Sequence, residues 1–188
     1  MYEFAAADGL TVSFQRFPYP ATGSVDALPA SCGALPVFIE GPGRILVPSP
    51  AGEGMWVGLL GGPDAAPMVV RLMASTRPDG RVDVLGGQGV AASASVPATF
   101  IVVPPHQFVR GIPRPRGGWW PLARHAERPE APSCQSLELM ISAPPTEAAP
   151  IIRRLHIELA DAGSFTRVSG VDIPPLRPES AYGGWRLP

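Results

Sequence analysis

Proline or glycine falls in nearly every gap between the apolar runs of this chain, and that punctuation sets the first limit on its fold. The 188 residues include 25 prolines and 21 glycines. Proline removes a backbone donor and clashes with the preceding turn of a helix. Glycine in a helix interior costs about 0.5–1 kcal/mol relative to alanine. The runs that survive between them have the length of strands. LTVSFQRF (10–17) sets Leu10, Val12 and Phe14 against Thr11, Ser13 and Gln15, the period-2 pattern of a half-buried strand. Short runs follow at 36–39, 44–47, 55–60, 68–74, 81–85, 90–96, 99–103, 136–141, 155–159 and 165–168. Many short strands separated by turn residues predict an all-β domain, a jelly-roll-like β-sandwich or a barrel of about 8–11 strands.

Two hairpins are expected. MVVRLMASTRPDGRVDVL (68–85) turns at Arg77-Pro78-Asp79-Gly80, with proline suited to the second turn position and glycine to a positive φ. LHIEL (155–159) and FTRV (165–168) flank a turn at Asp161 to Ser164. One segment, 146–163, competes as a helix, with Ile151, Ile152, Leu155 and Leu159 on one helical face. Pro150 suits that helix poorly, and Leu155, Ile157 and Leu159 alternate cleanly, so a strand is expected over 153–159. The domain runs over 1–170. Residues 171–188, VDIPPLRPESAYGGWRLP, are too proline-rich for regular structure and read as an extended, partly polyproline arm.

Composition removes several chemistries. All 15 basic residues are arginine, and both lysine and asparagine are absent. A phosphate loop ending in Gly-Lys-Ser/Thr and a Schiff-base lysine are therefore excluded. The net charge of -1 argues against a nucleic-acid binder. No basic-then-apolar signal peptide is visible at the amino terminus, and no apolar run approaches the roughly 18 residues of a membrane helix. The expected location is cytoplasmic or within a virion. Cys32 and Cys134 form no CxxC pair and read as buried free thiols.

The remaining motifs are weak. Gly87-Gln88-Gly89-Val90-Ala91-Ala92 matches G-x-G-x-x-A, but Pro97 follows too soon for the required helix. Neither G-x-S-x-G nor HExxH occurs. His106, His156 and Glu158 are the best candidates for a two-histidine, one-carboxylate metal site. The alternative is a solvent-facing strand side carrying Arg154, His156 and Glu158. Glu40, Glu53, Asp64 and Asp83 stand beside glycine or in turns and read as solubilising loop charges.

Arg110, Arg114, Arg116, Arg124 and Arg128 crowd into RGIPRPRGGWWPLARHAERP, around Trp119 and Trp120. Arginine forks suit anions, and tryptophan faces suit bases, sugars or guanidinium groups. The prolines limit φ and lower the entropy lost on ordering. The expectation is a stiff projecting loop with contact duties, not a catalytic centre. Arg114, Arg116, Trp119, Trp120 and Arg124, with Tyr182 and Trp185 of the arm, are the candidate partner-binding residues. Charged residues are 16% and mean hydropathy is +0.13, a surface poor in charge for a solitary soluble domain. These features point to a non-enzymatic structural or interaction protein, with no cofactor and no metal, whose partners are protein neighbours and copies of itself. A virion coat, decoration or tail component fits this description. A cupin-like metal-dependent enzyme and a carbohydrate- or ligand-binding module are the alternatives.

Overall fold

The computed structural model describes residues 1–78, 80–85, 100–105, 107–125, 129–142 and 151–181. Within them the protein is a two-sheet, all-β sandwich, and neither sheet closes into a barrel. The smaller sheet has the order β1-β2-β5-β9, built from Glu3–Ala7, Leu10–Pro18, Glu53–Gly61 and Phe108–Val109. The larger runs β3-β4-β13-β12-β6-β7, with β3 Phe38–Gly41, β4 Arg44–Pro48, β13 Ile151–Ala160, β12 Ser133–Ser142, β6 Met68–Arg77 and β7 Gly80–Asp83. β8 (Ile101–Val103) pairs with β6 beside β7, and β10 (Ile112–Pro113) pairs with β11 (Trp119–Trp120) as a separate ribbon. Every pairing is antiparallel except β13 with β4.

Period-2 alternation builds the core. Side chains two apart on a strand share a face. Leu10, Val12 and Phe14 of β2 and Met55, Val57 and Leu59 of β5 face inward from one sheet. Val70 and Leu72 of β6, Leu137, Leu139 and Ile141 of β12, and Leu155, Ile157 and Leu159 of β13 join them in the same core cluster. The strand expected over 153–159 is thus present and longer, and the β6–β7 hairpin pairs Thr76 with Gly80 as the turn residues predict.

Two expectations need correction. FTRV is not a strand: Ala162–Ser169 forms the helix α1. Its start was written in the sequence. The Asp161 side chain accepts from the Ser164 N–H at 2.8 Å, and Gly170, at φ 69°, closes the other end. Phe165, fully buried, pins α1 against Leu46, Ala160, Phe38 and Ile173. Nor is β2 half-buried. Its second face is closed as well, with Ser13 and Gln15 both buried. The Gln15 side chain donates to Ser13 Oγ at 3.0 Å and accepts from Ser31 Oγ at 2.7 Å, so its amide is satisfied without water.

The run 90–96, the glycine motif at 87–89 and residues 182–188 lie outside the described residues.

Candidate partner-binding surface

The segment from residue 104 to 134 is tied to the sandwich along most of its described length. It closes the edge of β5. Phe108–Val109 pair with Val57–Gly58, the Leu59 N–H donates to the Gln107 carbonyl, and Met55 and Leu122 exchange backbone hydrogen bonds. An uncovered β5 edge would be a row of free donors and acceptors open to aggregation. Gly54 permits this approach, since a Cβ there would lie 2.6 Å from Pro121 Cβ.

The β10–β11 ribbon continues from there. Gly111 is required by close contact: a Cβ would sit 2.2 Å from the Trp120 carbonyl oxygen. Trp119 exchanges backbone hydrogen bonds with Val25, which anchors the ribbon to the body. The turn is closed by Arg114 and Gly118, with Gly117 and Gly118 at φ 87° and 73°.

The arginines and tryptophans interlock. The Arg110 guanidinium lies 4.5 Å from the Trp119 ring centroid and 5.2 Å from that of Phe108. Phe108 in turn meets Trp56 edge-on, with centroids 6.5 Å apart. Arg114 reaches over Trp120 at 5.8 Å and donates to Ser24 Oγ at 2.6 Å. Arg124 is also engaged: its side chain donates to the Leu159 carbonyl at 2.6 Å and its backbone N–H to Ser49 Oγ at 2.8 Å. Thus the expected projecting loop is corrected to a ribbon packed on the body. Both tryptophans are half-buried with an arginine across a ring face. Arg116, exposed at the turn beside Pro115 and Gly117, has no partner among the described residues. Arg128 and the arm residues Tyr182 and Trp185 lie outside them.

A second feature was missed in the sequence. Arg16 shares the inward parity of Leu10, Val12 and Phe14, so the alternation itself points it toward the interior. It is 4% exposed. Its Nε donates to Glu53 Oε2 at 2.8 Å, and its Nη2 to the other carboxylate oxygen. Its remaining terminal nitrogen donates to the Pro174 carbonyl at 2.6 Å. Glu53 is accordingly not a solubilising loop charge; it is the buried counter-ion of Arg16, on the paired strand two residues before Met55, which faces Arg16. This clamp holds residues 171–181 against the body. The arm is extended and mostly exposed, apart from half-buried Ile173 and Leu176 and one 3-10 turn at Pro178–Ser180. A cleft of about 430 Å³ lies alongside, lined by Tyr2, Arg16, Cys32, Gly33, Pro174 and Pro175, among others.

Both cysteines are free; Cys134 is buried as expected, but Cys32 is only partly buried. Burial pushes the Cys134 thiol up to about 12. Cys32 is raised as well, chiefly by desolvation, with Arg16 acting in the opposite direction. His156 stands exposed between Arg154 and Glu158, opposite Glu138, which pairs with Arg154 at 3.3 Å and with Arg81. Among the described residues no three His, Cys, Asp or Glu side chains converge as a metal site. His106 lies outside them. No described helix is long and apolar enough to cross a membrane.

No family model, curated protein or solved structure matches this chain.

Proposed function

We propose that this protein is a non-enzymatic structural subunit that works within an assembly of protein neighbours, including copies of itself. A virion coat, decoration or tail component is the kind of role meant. The arm carries the reading. A segment of eleven residues, 171–181, leaves the sandwich after Gly170 and lies along it, held by one buried guanidinium and by Ile173. An extended segment held by few contacts can be exchanged between identical subunits, a low-cost route to association. Exposed apolar side chains on the first two residues and at the root of the arm support it: Met1, Tyr2, Val168 and Val171. The ribbon turn with Arg116 adds a stiff basic contact point, suited to a carboxylate on a facing subunit.

Sedimentation velocity over a wide concentration range tests the proposal. Assembly predicts species well above 19.8 kDa whose population grows with concentration. A monomer at every concentration, alone and in 0.15 M salt, would overturn it.

A further inference from the structure

We propose that the surface formed by Tyr2, Arg16 and residues 32–34, along which the arm lies, is a docking groove for a proline-rich extended segment, and that in the assembly it receives the arm of a second copy of this chain. This rests on the assembly reading above and names its contact.

In this structure the chain's own arm lies along that surface, tied to it by the Arg16 bond to the Pro174 carbonyl. Pro174, Pro175, Arg177 and Ser180 line one side of the cleft, opposite Tyr2, Cys32, Gly33 and Ala34. The chemistry suits an extended proline segment. Prolines cannot donate, so such a segment is read through its carbonyls and by aromatic contact with its rings. Arg16 supplies the donor to the Pro174 carbonyl, and Tyr2 supplies an aromatic wall.

The hold in cis is thin. Among the described residues, backbone hydrogen bonds from 171–181 stay within the arm or reach Ser169 Oγ, at Val171, Ser180 and Ala181. Among the described residues, one side-chain bond, from Arg16, ties its backbone to the sandwich. Val171 and Asp172 are exposed and follow the left-handed Gly170, which gives the arm a place to change direction. Exchange between two copies would remake the same contacts, Arg16 to Pro174 included. Its free-energy difference is then mainly the translational cost of association, which falls as subunits become concentrated.

The test uses full-length chains. One variant carries Pro175→Cys with Cys32→Ser, and the other is the unaltered protein with its native Cys32. Position 175 is exposed, so the substitution leaves the core alone. Cys134 is fully buried and does not compete. Neither chain can form a 32–175 bridge within itself. Exchange predicts that mixing and treatment with a bis-maleimide long enough to span the cleft yield a covalent heterodimer whose peptide map shows a 32–175 bridge, increasing with concentration. As a control, Pro175→Cys with Cys32 kept must close the bridge within one chain when dilute. A cis bridge without the trans bridge at any concentration would overturn exchange, and no bridge in either experiment would overturn the seating of the arm. If sedimentation still shows an oligomer while the trans bridge is missing, assembly stands and exchange falls. A monomer without the trans bridge removes both.

Discussion

Removing the Glu53 carboxylate tests whether the Arg16 clamp is the buried ion pair that the geometry indicates. Arg16 is 4% exposed and the Glu53 side chain 11%. Two of the three guanidinium nitrogens bond that one carboxylate, so Glu53→Ala leaves the guanidinium with the Pro174 carbonyl as its one partner among those described here. An unpaired buried charge of this sort costs about 3–5 kcal/mol. Domains of this size have total stabilities of about 5–15 kcal/mol, so the variant should lose a large share. Glu53→Gln keeps one acceptor and loses the charge. It should fall between wild type and Glu53→Ala. Replacing both partners, Arg16→Met with Glu53→Leu, removes the charge and its desolvation together, and should cost less than Glu53→Ala alone. Urea unfolding at pH 7, followed by fluorescence and circular dichroism, measures all three, with coincident transitions required before a free energy is assigned. A loss below about 1 kcal/mol for Glu53→Ala, the range of exposed pairs, would refute the reasoning, because it would mean that water reaches the guanidinium.

Three further outcomes are expected. Gly111→Ala should separate β10 from β11, since its Cβ would overlap the Trp120 carbonyl at 2.2 Å; hydrogen exchange should then accelerate at Trp119 and Val25 more than in β12. In the native protein at pH 8, a thiol reagent should modify Cys32 slowly and Cys134 not at all, and both once the chain is unfolded, because burial holds Cys134 near 12; two fast equivalents in the native state would contradict this. The Asp161 carboxyl is held below its ordinary value of 3.8 by the Ser164 N–H it caps, so its contribution is present above pH 3.8 and is lost as pH falls through the lowered value. Asp161→Ala should therefore lower the melting temperature at pH 7 and leave a smaller difference near pH 2, read by thermal melts.

The sandwich was legible because its strands alternate. A two-residue period needs no knowledge of what covers each face, and Leu155, Ile157 and Leu159 declared β13 even against a competing helical pattern. The solvent-facing row of Arg154 and His156 followed from the same parity. The helix α1 was also encoded locally, in Asp161 and Gly170, but its eight residues were short enough to pass for a strand.

The site was less legible, for a physical reason. Alternation reveals which side chains share a face, while burial depends on what the rest of the chain lays over that face. Ser13 and Gln15 sit on a face that looks solvent-exposed in sequence, yet Ser31 and its neighbours cover it. Arg16 shows the converse: its inward parity was present in LTVSFQRF, but only folding brought Glu53, 37 residues away, and Pro174, 158 residues away, onto one guanidinium. Likewise the crowding of arginine and tryptophan between residues 110 and 124 was plain from composition. That Arg110 and Arg114 spend their charge on Trp119 and Trp120, and Arg124 on the Leu159 carbonyl, was decided in three dimensions. Local patterns act through the neighbouring backbone and survive in one dimension; buried charge requires partners gathered from distant strands, and those meet only when the two sheets close.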